Sequence, residues 1–276
     1  MAITVDQAFI TAFNSEVHLA YQRHGSKLRG TVRTQTGVRG ATLRFQKMGR
    51  GSATQKTRHG NIPPMNVNHS FVDVTIEDWF GLDYCDDLDK LKINIEEQQA
   101  LQTSIVSALG RKTDEQIVAA AEATPNTIAA GFGGAPGGIM TRGKMDEVMV
   151  QFGELDVPDD GMRFCFVGWK QWADMNNIAE FVSSDYIGDQ HPLKSWPTSR
   201  FFNGIWWAPF SGLTLNGADR TCISYHKTAI GHGIQNEVET EIAWVTEKDS
   251  WAIKGKMAMN AVDIDTDGIL TVICTE

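Results

Sequence analysis

The run Asp263-Ile264-Asp265-Thr266-Asp267-Gly268 spaces its carboxylates as the first half of a calcium loop does, where alternate oxygens converge on one ion and a glycine makes the turn. The second half is missing. Its twelfth position is Cys274 instead of a bidentate Glu, and the flanking residues read as strands where helices are needed. A tight turn, with Gly268 allowing the reversal, is the reading that follows, and calcium stays an open alternative. His226 and His232 lie six residues apart; on one extended strand they share a face about 20 Å apart, too far for one metal. No Ser stands in GxSxG and no GxxxxGK[ST] occurs. The glycines of 131–138 fail the dinucleotide pattern because Pro136 takes the place of the third, so a flexible connection is expected there. We therefore expect no catalytic residue, no metal ligand and no cofactor.

Charge is the feature that discriminates. Residues 21–60 hold ten Lys or Arg and no acid, which leaves 15 basic and 34 acidic residues elsewhere, a balance of -19 within a chain of net charge -9. Seven of the ten, Arg33, Arg39, Arg44, Lys47, Arg50, Lys56 and Arg58, fall between Gly30 and Gly60. Seven acids follow before the next base: Asp73, Glu77, Asp78, Asp83, Asp86, Asp87 and Asp89. A basic segment of this kind neutralises either phosphates or an acidic protein surface. Single-strand binders interleave aromatics for base stacking, and only Phe45 is available between 31 and 60. The remaining negative charge also opposes nucleic acid. A protein target is favoured, with a nucleic-acid-binding role kept as the alternative.

The elements that must position these charges are legible in outline. Residues 5–24 have a loosely helical apolar spacing and read as a short amphipathic arm. The basic segment holds few sizeable apolar residues, too few for a core of its own, and reads as an extended two-stranded arm with its tip at Gly49-Arg50-Gly51-Ser52 and its end at Pro63-Pro64. An isolated hairpin is marginal in water, so this one must lie on another surface. Phe71 to Glu77 alternates as a half-buried strand does. From 87 to 123 a helical pattern places Leu88, Leu91, Ile95, Ile105, Leu109 and Ile117 on one face and stops before Pro125, with a bend possible at Gly110. A short helix over 142–154, a buried strand over 162–167 and a helix over 169–177 come next. Residues 180–220 read as irregular and aromatic, and 221–273 as a series of strands. The class is α+β, with one dominant helix against a sheet.

With 276 residues and 42% hydrophobic content the chain can bury a core as one elaborate domain or two lobes. No stretch approaches the roughly 18 apolar residues of a membrane helix, and no secretory leader is read at the start, so a cytoplasmic folding environment is expected and the sequon Asn68-His69-Ser70 carries no glycan. Cys85, Cys165, Cys222 and Cys274 are far apart and form no CxxC, which points to buried free thiols.

Two runs carry a resemblance. FVDVTIEDWFGLDYCDDLDKLKINIEEQQALQTSIVSALGRKTDEQIVAAA resembles the strand and spine helix of tailed-bacteriophage major capsid proteins. ISYHKTAIGHGI and the strands up to ILTV resemble the end of the same proteins, where a His-Lys-x-Ala-Ile-Gly step and a final Asp-x-x-Gly turn recur. The match covers roughly 65–123 and 200–273. It implies the Hong Kong 97-type fold: an N-terminal arm (1–29), an extended β-hairpin loop (30–70), a peripheral domain with a long spine helix (71–124), a mainly axial domain (125–244) and peripheral return strands (245–276). It further implies a structural, non-enzymatic subunit that self-assembles into hexamers and pentamers of an icosahedral shell around packaged double-stranded DNA. Implied partners are copies of itself, a portal, a possible decoration protein and, since no long charged helical region precedes the arm, a separate scaffolding protein. Assembly in the host cytoplasm and residence in the virion capsid follow, with no membrane partner. The seven basic residues and seven acids are then candidate intersubunit contacts. An encapsulin-type cellular cage shares the fold and remains the alternative.

Overall fold

The computed structural model describes residues 22–23, 25–86, 97–134, 138–182 and 199–276. In chain order these form β1 (Arg33–Thr36), β2 (Thr42–Met48), β3 (His69–Thr75), β4 (Glu77–Asp86) and the long helix α1 (Glu97–Glu122). There follow β5 (Thr127–Ile128), α2 (Arg142–Glu154), β6 (Arg163–Val167), α3 (Trp169–Met175), α4 (Ala179–Val182), β7 (Arg200–Phe202), β8 (Ile205–Pro209) and β9 (Leu215–Asn216). The chain ends with β10 (Asp219–His226), β11 (Ile230–Val245), β12 (Ser250–Asp263) and β13 (Ile269–Thr275). Contacts divide it into two compact units, one of residues 1–25, 78–111 and 237–257, the other of 26–77, 112–236 and 258–276.

The larger unit is organised by a sheet in the order β5-β13-β10-β6-β8-β7, with β9 against β10. Its centre is buried on both faces: Ile223 and Tyr225 of β10 are fully covered, as are Cys165, Cys222 and Cys274, and all four cysteines are buried free thiols. Burial pushes the Cys165 thiol and the Tyr225 hydroxyl up, so both stay protonated at neutral pH. α2 covers this sheet with Met145, Val148 and Phe152. Its Lys144 is buried as well, and the ammonium keeps its donors occupied by Gly138 O at 2.7 Å, Ile273 O at 3.0 Å and Cys274 Sγ at 3.7 Å. The C-terminal half of α1 belongs to the same core through Ile117, Val118 and Ala121.

In the smaller unit the N-terminal half of α1 lies over glycines. A Cβ at Gly81 would stand 2.9 Å from Ile105, and one at Gly255 2.5 Å from the same side chain. Gln102 Nε2 donates to Thr240 Oγ1 at 2.7 Å, and the Trp244 and Trp251 rings meet edge-on at 5.3 Å. Backbone pairing runs β1-β11-β12-β4, with β11 and β12 passing from one unit into the other.

Several sequence expectations hold, and several are corrected. α1 continues through Gly110 to Glu122, while residues 87–96 of the expected helix, and residues 5–21 of the expected arm, lie outside the described residues. The loop's strands are not the two flanking Gly49-Arg50-Gly51-Ser52. β2 pairs with β3 from Thr42↔Thr75 to Met48↔His69, so residues 49–68 form one long excursion and Pro63-Pro64 lies within it. Residues 200–209 are not irregular: β7 and β8 form a hairpin about Asn203 (φ 51°) and Gly204 (φ 76°), the Asn-Gly pair that a type I′ turn favours. His226 ends β10 and His232 sits in β11 beyond a turn, so the two do not share a strand. Gly268 does not have a left-handed φ; it is glycine because a Cβ there would meet the Ala229 Cβ at 2.8 Å.

Candidate assembly interface

The extended loop begins at a fixed point. Asp114 of α1 accepts from Ser26 Oγ at 2.6 Å and from the amides of Lys27 and Leu28 at 3.1 Å each. Leu28 is fully buried, and Thr31 Oγ1 hydrogen-bonds Tyr225 OH at 2.7 Å. From there β1 runs parallel to β11, with Thr34 opposite His232. His232 is fully buried, and neither ring nitrogen has a hydrogen-bond partner among the described residues. Burial, with a smaller contribution from Arg29, lowers its pKa to about 4, so the ring is neutral at neutral pH.

The β2–β3 base lies on the body of its own unit. Leu43, Phe45 and Val74 pack with Val38 and Ile264. Two glycines of β11 make room for this: a Cβ at Gly231 would be 2.7 Å from the Phe45 ring, and one at Gly233 2.8 Å from Leu43. The step Gly231-His232-Gly233 is thus a flat seat for the loop base, with a buried ring between two open positions. Beyond the base, Gly49 N–H donates to Asn68 O at 2.8 Å, and a Cβ at Gly51 would collide with Met65 and Val67. Residues 51–59 and 61–66 are all exposed, Ile62 to 75% and Met65 to 52%.

The seven basic candidates separate into two groups. Arg44 forms a two-pronged bond with Asp73 directly across the ladder, Nε–Oδ1 2.7 Å and Nη2–Oδ2 2.9 Å, with its guanidinium 3.8 Å from the Phe71 ring centroid. That hydrogen bond raises the pKa of Arg44 and lowers that of Asp73. Lys47 Nζ lies 2.7 Å from Asp265 Oδ1. Arg50 reaches Asp156 Oδ2 at 3.0 Å and Leu155 O at 2.6 Å, with Asp267 at 3.9 Å. Two carboxylates of the calcium-like run therefore face loop cations, and Asp265 also accepts from the Asp267 amide. Arg33, Arg39, Lys56 and Arg58 are exposed and make no ion pair among the described residues; the Arg33 guanidinium lies 5.6 Å from the Phe45 ring centroid.

Five of the seven acids lie among the described residues. Asp73 is taken by Arg44, and Glu77, Asp78, Asp83 and Asp86 are exposed along β4. The two-residue period of a strand puts Glu77 and Asp83 on one side of β4 and Asp78 and Asp86 on the other. Asp87 and Asp89 lie outside the described residues. Sequence reasoning missed Asp156, Asp265 and Asp267 as the partners of the loop, since nothing local ties Arg50 to a carboxylate 106 positions away.

Comparison with known proteins supplies the context. The sequence profile of the family described as phage capsid protein matches residues 5–276. No protein with a curated description matches the sequence. Among solved structures, the capsid of the cyanophage P-SCSP1u is similar with a TM-score of 0.76 at 14% identity, over 99% of this chain and 94% of that one. Mycobacterium phage Che8 follows at 0.73 and 15%, over 96% and 97%, and the capsid of Ralstonia phage GP4 at 0.72 and 9%, over 95% and 94%. At such identities the likeness is one of fold, and the fold is the Hong Kong 97-type α+β architecture.

Proposed function

The chain belongs to the phage capsid protein family, and from that premise we propose that it is the major structural subunit of a tailed phage, closing hexamers and pentamers into an icosahedral shell around double-stranded DNA. Its parts then serve as terminal arm (1–29), extended loop (30–70), peripheral domain with the spine helix (71–124), axial domain (mainly 125–244) and return strands (245–276). Assembly takes place in the host cytoplasm, with a separate scaffolding protein and a portal, and the role is structural without catalysis.

The observation that carries this reading is the distal loop. Residues 51–66 have no core of their own, expose Ile62 and Met65, and present Lys56 and Arg58 without an in-chain ion pair among the described residues; Arg39, nearer the base of the loop, has none among them either. Such a segment is completed by a surface on the next copy, acidic at its rim. Head-to-tail contacts of this heterologous kind close into rings and shells. Each exposed ion pair is worth only about 0–1 kcal/mol, so charge sets register and encounter while the apolar loop residues supply most of the affinity. The test is the triple reversal Arg39→Glu, Lys56→Glu, Arg58→Glu, followed by light scattering and electron microscopy. Folded protein that no longer forms shells is expected; normal shells from this variant would refute the role given to the loop. Nuclease-protected DNA inside wild-type particles would separate a genome container from a cage for protein cargo.

A further inference from the structure

Asp156 occupies a position that a helix end normally gives to glycine. α2 closes in a Schellman arrangement: the Val157 amide donates to Phe152 O at 3.0 Å and the Asp156 amide to Gly153 O at 3.2 Å. Val157 and Phe152 are both buried, the apolar contact that accompanies this motif. Asp156 itself is left-handed at φ 56°, a conformation that a side chain disfavours. Nothing in the helix requires an acid there.

What the acid meets is Arg50 of the extended loop. One guanidinium nitrogen takes the Asp156 carboxylate at 3.0 Å, and another donates at 2.6 Å to Leu155 O, where the helix dipole favours a cation. The seat is firmly held. Buried Arg163 donates to the carbonyls of Val157 and Pro158, and His226 Nε2 lies 3.0 Å from Asp160 Oδ1. Three residues before Arg50, Lys47 takes Asp265 at 2.7 Å on a second turn. The loop is thus fastened at two points just before its exposed stretch begins.

We propose that Arg50 with Asp156, seconded by Lys47 with Asp265, forms a latch that fixes the direction in which residues 51–64 leave the body. These four are positioning residues, distinct from Arg39, Lys56 and Arg58, which reach the neighbour. The purpose of the latch rests on the loop's being an intersubunit arm; the latch itself is a property of one chain.

Asp156→Gly isolates it, because glycine suits the left-handed site and only the carboxylate is lost. In unassembled protein, amide exchange over residues 47–52 is expected to quicken several-fold in Asp156→Gly and in Arg50→Gln. The double variant should exchange no faster than Arg50→Gln alone, since that change already removes the one contact Asp156→Gly breaks along with the bond to Leu155 O. The melting temperature of Asp156→Gly should not fall. Shell formation followed by light scattering should slow several-fold in each. Wild-type exchange over 47–52 in Asp156→Gly would overturn the latch itself, and quickened exchange with an unchanged assembly rate would overturn its role in assembly. The triple reversal of Arg39, Lys56 and Arg58 separates the two ideas: it is expected to stop assembly while leaving exchange over 47–52 as in wild type, so an arm that fails its test does not take the latch with it.

Discussion

The two ends of the extended loop are made of similar residues and treated oppositely by the fold. The base, β2 with β3, has Leu43, Phe45 and Val74 on one face, and that face finds Val38, Ile264 and two glycines of β11. The distal stretch, 51–66, has Ile62 and Met65, and among the described residues nothing buries them. Backbone pairing stops where apolar support stops. A two-stranded ribbon needs a surface beneath it to be stable, and the described residues supply that surface only at the base of the loop.

The comparison can be broken at its base first. Phe45→Ala removes a ring only 1% exposed, and a loss of roughly 3–5 kcal/mol in denaturant unfolding is expected. A loss under 1 kcal/mol would mean that the base is not seated as described. Acid attacks the same place by another route. His232 titrates at about 4 in the folded chain against an ordinary 6.5. The unfolded chain therefore binds the proton first, so the contribution is full above pH 6.5, declines as pH falls and is gone below about 4. The difference is on the order of 3 kcal/mol. Stability measured from pH 7 to 4 should drop by about that amount, and His232→Gln should flatten this part of the slope.

Smaller effects sharpen the contrast. Arg44→Gln breaks a well-formed pair, but the pair is exposed and screened by solvent, so equilibrium unfolding should register far less than for Phe45→Ala. At the distal end, Ile62→Ser with Met65→Ser should change the unfolding free energy by less than about 0.5 kcal/mol, as at other exposed positions, while impairing shell formation. A large destabilisation from that pair would place the distal loop in a core of its own chain.

Elements with strong periodicity were readable in the sequence. The described part of the spine helix follows Ile105, Leu109 and Ile117, and the expected strand-rich end holds β10 to β13, although a turn after His226 divides the first apolar run between β10 and β11. The β7–β8 hairpin carried a readable Asn203-Gly204 signal that the surrounding aromatic residues obscured. The loop register was not readable, because a β2–β3 ladder interrupted by residues 49–68 has no short turn to announce it. The division of the basic residues was also invisible. Charge counting finds all seven, but which of them are held in-chain depends on turns contributed by Asp156, Asp265 and Asp267, far off in sequence and brought near only by the folded sheet.

The most direct measurement is backbone amide exchange over residues 52–64, in unassembled protein and then in purified shells. The account predicts rapid exchange in the free chain and strong protection once shells have formed. Protection already present before assembly, or exchange that stays rapid within the shell, would contradict it.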